Sequence, residues 1–240
     1  MIVLFTDFGA NGPYLGQMEM AIRRIAPSAV VVNLLADAPS FDPRASAYLL
    51  AALTVEVPEG AVVLGVVDPG VGGPRRPMVA RVDGRWLVGP DNGLFELLLR
   101  RGSQIETWEI VWRPDRLSAT FHGRDLFAPV AARLASGQAL DQMGLRRIEP
   151  PRRPDWPDDL ASIIYTDYYG NAWTGLRAAA VSGDWIMVGG QRLGRARTFG
   201  DVAVGSAFWY ENSCGLLEVA VNGGRADRLG GIELGTAVTI

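Results

Sequence analysis

The sequence is poor in the residues that build disulfides and histidine metal sites. It has one cysteine, Cys214, and one histidine, His122, among 240 residues. A single cysteine excludes an intrachain disulfide and favours a reducing compartment, and a single histidine excludes a metal site made of several histidines. The apolar stretch in Met1–Asp7 has no basic region before it and is too short for a signal peptide or a membrane span. We therefore expect a soluble, cytoplasmic protein.

A strong charge of either sign is also missing. The net charge is -3, charged residues make up 20% of the chain, and hydrophobic residues make up 48%. This hydrophobic content is typical of a globular protein with a core. No basic patch indicates nucleic acid binding, and no polybasic segment indicates an anionic membrane surface. We expect neither nucleic acid nor membrane as a partner.

Apolar runs alternate with helical patterns over the first two-thirds of the chain. The predicted strands are Ile2–Thr6, Val30–Leu35, Ala61–Val67 and a hairpin of Met78–Val82 with Arg85–Val88 around Asp83-Gly84. The predicted helices are Gly12–Ile25, one that starts at the N-cap and proline pair Asp42-Pro43, Gly93–Arg100 and Leu126–Leu134. This order predicts an α/β domain with a mostly parallel sheet.

A proline-rich stretch then separates a region of different character. Between Arg146 and Asp159 lie Pro150, Pro151, Pro154 and Pro157, which indicate a linker. Short strands punctuated by glycine follow, at Ile163–Tyr165, Trp185–Val188, Leu216–Val221 and Ala237–Ile240. We predict an α/β domain over residues 1–148, a linker over 149–159 and a small β domain over 160–240.

Three carboxylates stand directly after predicted strands, at Asp7, Asp68 and Asp91. Ligands of open α/β sheets bind beyond the carboxyl ends of the strands, although a lone aspartate there caps a turn about as often. With Asp125 these residues could also form a magnesium site, but their spacing does not require one.

The loop after the third strand is the best candidate for chemistry. Residues 68–76 run Asp-Pro-Gly-Val-Gly-Gly-Pro-Arg-Arg, so Asp68 and Arg75 share one long irregular loop, which is typical of functional loops. The glycines match neither a P-loop nor a dinucleotide fingerprint. His122 precedes a predicted helix, where Gly123 permits close approach of a ligand and Asp125 could cap the helix. A lone histidine is equally compatible with a structural role.

Two polar segments of the β domain are candidates for ligand anchors. Asp167–Asn171 combines a carboxylate, two tyrosines and an amide, and Glu211–Gly215 holds further polar groups. Each segment alone is compatible with a turn between strands. The residues by themselves therefore predict a small-molecule enzyme and no specific substrate.

Taken together, the motifs resemble those of the S-adenosyl-L-methionine hydroxide adenosyltransferases, relatives of fluorinase and chlorinase. The matching segments span nearly the whole chain: Thr6-Asp7-Phe8-Gly9, residues 67–72, Gly89-Pro90-Asp91-Asn92-Gly93, residues 121–125, Asp167–Asn171 and residues 212–222. The resemblance implies an N-terminal α/β domain, a C-terminal β-barrel and a homotrimer with active sites between subunits. It implies attack by water at the ribose C5′ of S-adenosyl-L-methionine, giving adenosine and L-methionine without a cofactor or a metal.

The same resemblance assigns roles to particular residues. It implies that Asp68, Arg75 and His122 handle the water and that Asp7 binds the ribose. Phe41 and Phe121 would line the substrate pocket, Asp167 and Ser213 would hold the methionine end, and Asn171, Tyr169 and Phe199 would contact the adenine.

Two departures from the family pattern bear on function. Asn11-Gly12 stands where the family often has an acidic residue that contacts methionine. Gly123 stands where halogenating relatives place a hydroxyl residue, and the carboxylate of Asp68 would repel a halide, so the residues favour water. The alternatives are a halide-using adenosyltransferase, a non-catalytic sensor of S-adenosylmethionine or adenosine, and a metal-dependent phosphohydrolase that uses the aspartates.

Overall fold

The structure is a computed structural model that describes residues 1–240, and the chain divides into two compact units, Met1–Arg153 and Pro154–Ile240. The strands of the first unit are β1 (Ile2–Thr6), β2 (Val31–Leu35), β3 (Val62–Val66), β4 (Pro77–Val82), β5 (Arg85–Pro90), β6 (Ile105–Ile110) and β7 (Leu145–Ile148). Its helices are α1 (Tyr14–Ile25), α2 (Pro43–Leu53), α3 (Glu96–Arg101) and α4 (Ala128–Ala135), with a π-helix at Gly123–Phe127 and a 3-10 turn at Leu140–Gln142.

One seven-stranded sheet organises the first unit, in the order β2-β1-β3-β5-β4-β6-β7. The strands β2, β1, β3 and β5 are parallel, and β4, β6 and β7 complete the sheet with antiparallel pairs. The predicted α/β class is confirmed. Parallel strands need helices on both faces of the sheet, and β1 and β3 are accordingly buried at every position.

The two faces of the sheet are covered by different helices. Ile2 and Leu4 join one apolar cluster with residues of α1 and α4. Successive side chains of a strand point to opposite faces, so Val3 and Phe5 face the other side, where they are also buried. Phe95, at the start of α3, packs over Gly65 of β3. Both faces are therefore dry, which leaves the strand ends as the place for a polar site.

Local sequence signals explain several boundaries of these elements. Asp42 caps α2 by accepting a hydrogen bond from the Ala45 backbone N–H, with Pro43 at the first helical position. Asp83 and Gly84 both take positive φ angles, of 46° and 82°, as the tight β4–β5 hairpin requires. Asp125 is not a helix cap, because it lies inside the π-helix and accepts from the Ser118 N–H.

The last strand of the first unit ends where the predicted α/β domain ends. β7 pairs with β6 through Ile148, and the division between the two units falls between Arg153 and Pro154, within the predicted linker of residues 149–159. Neither β6 nor β7 was predicted. β6 carries the half-buried glutamates Glu106 and Glu109 next to its buried residues, so only its two neighbours in the sheet identify it as a strand.

The second unit is built from short antiparallel strands. These are β8 (Leu160–Thr166), β9 (Ala172–Arg177), β10 (Trp185–Val188), β11 (Gln191–Gly194), β12 (Ala207–Glu211), β13 (Leu216–Val221) and β14 (Val238–Thr239), with 3-10 turns at Ala178–Ala180, Phe199–Asp201 and Ala226–Arg228. They form a four-stranded sheet, β12-β13-β9-β8, and a three-stranded sheet, β11-β10-β14. Isolated bridges, Ser162 with Ala237 and Arg195 with Trp209, link the two sheets. No helix in either unit is long and apolar enough to cross a membrane.

Candidate active site

Two of the predicted site residues, Asp7 and Asp68, lie beyond the carboxyl ends of neighbouring parallel strands. β1 and β3 pair in register from Ile2 to Thr6, so Asp7 and Asp68 leave the sheet at the same edge. The negative charge of Asp68 contributes to the raised pKa of Asp7, behind the larger effect of burial. This edge is where open α/β sheets bind their ligands.

Asp68 and Arg75 form a buried ion pair. Arg75 Nε donates to both carboxylate oxygens of Asp68, at 3.0 Å and 2.9 Å, and Arg75 Nη2 donates to Oδ2. The two side chains are only 4% and 9% exposed, respectively. A paired geometry of this kind fixes a guanidinium against a carboxylate in orientation as well as in position.

His122 extends this pair into a chain of three side chains. Arg75 Nη2 lies 2.9 Å from His122 Nδ1. A guanidinium only donates hydrogen bonds, so Nδ1 must accept, and the ring proton of the neutral imidazole is then on Nε2. Burial, followed by the charge of Arg75, lowers the pKa of His122 below its ordinary value. Both observations indicate a neutral histidine with Nε2–H as its donor.

Two N–H donors of the hydrogen-bonded side chains Asp68, Arg75 and His122 have no partner. Arg75 Nη1 and His122 Nε2 make no hydrogen bond in the structure, whereas Arg75 Nε and Nη2 are committed to Asp68 and His122. Free N–H groups of this kind can donate to the oxygen of a water, and a carboxylate can accept a proton from it.

The loop that carries Asp68 and Arg75 is fixed at both ends by the motif 89–93. Asn92 Nδ2 donates to the Val67 carbonyl at 2.8 Å, and the Asp91 N–H donates to the Arg76 carbonyl at 2.8 Å. In the middle of the loop, the Gly72 backbone packs closely against the Ala119 carbonyl. Its φ is +76°, and a Cβ at this position would lie 2.5 Å from the Ala119 carbonyl oxygen. The loop is thereby held against the segment that leads to His122.

Asp7 holds a strained aromatic residue. The Phe41 N–H donates to Asp7 Oδ2 at 3.1 Å, and Phe41 has a φ of 59°, which is unusual for a bulky side chain. Phe41 as a whole residue is 78% exposed. Strain of this kind persists only where the surroundings enforce it, and here Asp7 on one side and the Asp42 cap of α2 on the other do so.

Phe121 lies in a cluster of three aromatic rings with Phe8 and Tyr14, at centroid distances of 5.4 Å to 5.8 Å. The predicted reason for Gly123 needs correction. A Cβ at Gly123 would lie 3.3 Å to 3.4 Å from Phe121, Phe8 and Met18. The missing side chain therefore makes room for this packing rather than for a ligand.

The four aspartates that could have formed a magnesium site have other partners. Asp68 binds Arg75, Asp91 binds Arg76, Asp125 binds Arg124, and Asp7 binds the Phe41 N–H. No group of three or more His, Cys, Asp or Glu side chains is placed to hold a metal ion.

The second unit brings its predicted ligand residues together around one cavity of about 550 Å³. Its lining includes all five of them: Asp167, Tyr169, Asn171, Phe199 and Ser213. Asp167 Oδ1 accepts from the Asn171 N–H at 2.9 Å, which closes the turn between β8 and β9. Tyr169 is 72% exposed, so it lies at the rim.

The lining also includes Trp173, Tyr210 and Glu218, whose place at the cavity was not predicted from the sequence. The indole N–H of Trp173 is buried without a hydrogen-bond partner. Asn212 was recognised only as part of a polar segment. Glu218 could have been noticed from the sequence as a lone charge within the apolar strand Leu216–Val221.

Comparison with known proteins places both units in one family. The family model described as SAM hydroxide adenosyltransferase N-terminal domain matches residues 2–144, and the model for the C-terminal domain matches residues 161–239. An (R)-S-adenosyl-L-methionine hydrolase from Thermus thermophilus is 41% identical, with 100% of this chain and 98% of that protein aligned.

More distant similarity extends to halogenating enzymes and to solved structures. A fluorinase from Actinopolyspora mzabensis is 23% identical over 92% of this chain and 90% of its own. The crystal structure of a conserved protein from Thermotoga maritima matches with a TM-score of 0.90 at 30% identity, over 100% of this chain and 99% of that one.

Proposed function

Because the chain belongs to the SAM hydroxide adenosyltransferase family, we propose that it is an enzyme that hydrolyses S-adenosyl-L-methionine to adenosine and L-methionine. The observation that carries the proposal is the hydrogen-bonded chain Asp68–Arg75–His122 at the ends of the parallel strands. In the proposed reaction, water attacks the ribose C5′, the C5′–S bond breaks, and its electron pair leaves with sulfur.

The chemistry explains why such a chain suffices. The substrate sulfur is a sulfonium, so it departs as a neutral thioether and needs no general acid. The nucleophile is the difficulty, because free water is a very weak acid and supplies almost no hydroxide at neutral pH. We assign Arg75 Nη1–H and His122 Nε2–H to the water oxygen and Asp68 to its proton, which then passes to solvent. Fixed donors stabilise the charge that develops on that oxygen, and no metal or cofactor has a required role.

In this assignment His122 acts as a donor rather than as a general base. Its Nδ1 is already occupied by Arg75 and its Nε2 carries the ring proton, so the neutral ring has no free lone pair with which to accept a proton. Asp68 is the better acceptor because its carboxylate oxygens only accept hydrogen bonds when ionised.

The remaining predicted residues are proposed to bind the substrate. Asp7 accepts hydrogen bonds from the ribose hydroxyls, next to Phe41 and Phe121. In the second unit, Asp167 and Ser213 hold the charged groups of methionine, and Asn171, Tyr169 and Phe199 contact the adenine. Two observations support this proposal. The five residues of the second unit line one cavity, and Asp7 contacts the Phe41 N–H.

Water is preferred to a halide on electrostatic grounds. The buried carboxylate of Asp68 stands beside the proposed nucleophile position, and a like charge within a few ångströms is unfavourable. The sequence identities agree, at 41% to a hydrolase and 23% to a fluorinase.

We also propose that the enzyme is a cytoplasmic homotrimer with active sites between subunits. A single cysteine suits a reducing compartment. Phe41 and Tyr169 leave large aromatic surfaces exposed in the separate chain, and a neighbouring subunit or the substrate would cover them.

The decisive experiment is hydrolysis in ¹⁸O-labelled water with products identified by mass. We expect adenosine that carries ¹⁸O at O5′ together with unlabelled methionine. Both sulfonium epimers should be tested, because the name of the Thermus relative carries the descriptor (R). Adenine with S-ribosylmethionine would indicate cleavage of the wrong bond, and 5′-halo-5′-deoxyadenosine in chloride would indicate halide use. Binding without turnover would indicate a sensor, and turnover abolished by a chelator would indicate a metal enzyme.

A further inference from the structure

Glu218 is a buried charge that the proposed reaction does not use. It lies on β13, where all six residues are buried, and it is itself only 2% exposed. Burying a carboxylate is costly unless hydrogen bonds compensate. A residue of this kind inside an apolar strand therefore calls for a specific reason.

Two donors satisfy the carboxylate. Tyr210 Oη donates to Oε1 at 2.5 Å, and Asn212 Nδ2 donates to Oε2 at 3.0 Å. Burial raises the pKa of Glu218, and these hydrogen bonds oppose that shift. Burial and Glu218 together raise the pKa of Tyr210, so its hydroxyl keeps the proton that it donates.

The contact with Asn212 determines the shape of the turn that carries Ser213. Asn212 Oδ1 accepts from the backbone N–H groups of Cys214 and Leu216, at 2.9 Å and 3.0 Å. The amide can satisfy both only if its Nδ2 points the other way, toward Glu218. The carboxylate thus selects one orientation of the amide, and that orientation folds the turn around Ser213.

The contact with Tyr210 determines the position of an aromatic wall. The Tyr210 ring lies 5.5 Å from Phe199 and 5.6 Å from Phe208. Phe199 and Phe208 are themselves in edge contact at 5.2 Å. Fixing the Tyr210 hydroxyl therefore restrains the ring against which Phe199 packs.

We propose that Glu218 is a positioning residue of the substrate cavity, which orients Asn212 and Tyr210 so that Ser213 and Phe199 are presented to the substrate. The inference rests on the proposed function for the identity of that substrate. Glu218 acts through its two neighbours, so its loss should affect substrate binding and leave the Asp68–Arg75–His122 chemistry intact.

A charge-swap pair of substitutions tests the proposal. Asn212→Asp places two carboxylates side by side, and we expect the KM to rise roughly tenfold or more, the size of one lost hydrogen bond to a charged group. The double variant Asn212→Asp with Glu218→Gln has the net charge of the wild type. In it, the amide of the new glutamine can donate a hydrogen bond to the new carboxylate at position 212. We expect the KM of the double variant to return to within about threefold of the wild type, with kcat changed less than about threefold throughout.

Glu96→Gln is the matched control. Glu96 is equally buried, at 3%, and pairs with Arg100 in the first unit. A purely structural role of Glu218 predicts that both glutamate variants lower the melting temperature with unchanged KM. That result would overturn the proposal, as would a double variant no better than Asn212→Asp alone. If Asn212→Asp does not fold, a double-mutant cycle of Tyr210→Phe and Glu218→Gln provides the test. If Glu218 acts through Tyr210, the two substitutions should have non-additive effects on KM.

The outcome is separable from that of the proposed function. Absence of turnover in the wild type would refute hydrolysis, and calorimetric affinities for adenosine and methionine, measured on the same variants, would still test Glu218. Wild-type turnover with unchanged KM and unchanged affinities in the variants would refute Glu218 alone.

Discussion

His122 Nδ1 faces Arg75 Nη2 at 2.9 Å, and this one contact determines how three side chains share their protons. Because the guanidinium has no lone pair to offer, the imidazole is neutral and keeps its proton on Nε2. At the scale of residues, this contact supports the proposed division of roles, with Asp68 as the proton acceptor and Arg75 and His122 as donors.

We predict that Asp68→Asn lowers kcat by roughly 10²–10⁴-fold, the usual contribution of a general base, with little change in KM. His122→Ala should lower kcat by about 10²–10³-fold, the size of one lost donor to a developing oxyanion. A group that acts only in the transition state affects turnover rather than binding. Steady-state kinetics check both, with the exposed-pair variant Glu19→Gln as control. Stable variants with near wild-type kcat would refute the catalytic roles.

A second prediction concerns pH. Because the pKa of His122 is lowered by burial and by Arg75, the ring should stay neutral below the ordinary histidine pKa of about 6.5. Stability from this residue is complete above that pH and declines as the pH falls toward the lowered value, since the unfolded chain takes up the proton first. The single histidine gives one pair of carbon-bound ring signals in NMR, Hδ2 and Hε1, and their shared titration midpoint should lie below about 6.5. A midpoint above that value would contradict the assignment.

Asp7 has two functions that substitutions can separate. Asp7→Asn keeps an acceptor for the Phe41 N–H and loses the charge, whereas Asp7→Ala loses both. We expect both to weaken adenosine binding, by about 1.5–3 kcal/mol for the alanine variant. Only Asp7→Ala should also lower the melting temperature, because it releases the strained turn at Phe41. Calorimetry and thermal melts check this, and unchanged adenosine affinity in both variants would remove Asp7 from the site.

At the scale of elements, the loop proposed to be catalytic depends on the segment that follows the neighbouring strand β5. Asn92 and Asp91 follow β5 and hold the carbonyls of Val67 and Arg76, the two ends of the loop after β3. The motif 89–93 thus fixes the loop without contributing to the reacting atoms.

We predict that Asn92→Ala lowers both stability and kcat. The substitution leaves the Val67 carbonyl and the Leu94 N–H without their partner, which costs about 1–3 kcal/mol in unfolding free energy. Thr107→Val removes a comparable hydrogen bond to the Ile148 carbonyl in the same sheet. It should cost similar stability and leave kcat unchanged in kinetics well below the melting temperature. Equal kcat losses in the two variants would show that the effect is general destabilisation.

At the scale of the whole molecule, the proposed trimer predicts that two inactive variants restore activity when they are assembled together. Asp68→Asn and Asp167→Asn should each be nearly inactive alone. If sites lie between subunits, mixing and reassembling the two variants should restore part of the activity, because some sites then receive two intact contributions. Light scattering should give the mass of three chains. A fully active monomer, or no recovery on mixing, would contradict the trimeric site.

Short-range patterns account for what the sequence determined. The Asp42-Pro43 helix start, the Asp83-Gly84 hairpin and the buried parallel strands depend on neighbouring residues, and all were predicted. The strand-end positions of Asp7 and Asp68 followed from the same patterns. The resemblance of several motifs then predicted the reaction and the residues proposed to carry it out.

Only the tertiary structure decided the roles that depend on distant contacts. Arg75 and His122 are 47 positions apart, and Asp7 and Phe41 are 34 apart, so no local pattern could show which nitrogen of His122 is occupied or that Asp7 supports a strained residue. β6 and β7 become strands because their partners complete the hydrogen bonds of the sheet. Gly123 is explained by three neighbouring side chains and Glu218 by two donors. The physical reason is the same throughout. Hydrogen bonds and close packing join residues that lie far apart in the sequence, and a local pattern of residues does not show which of them will meet in the fold.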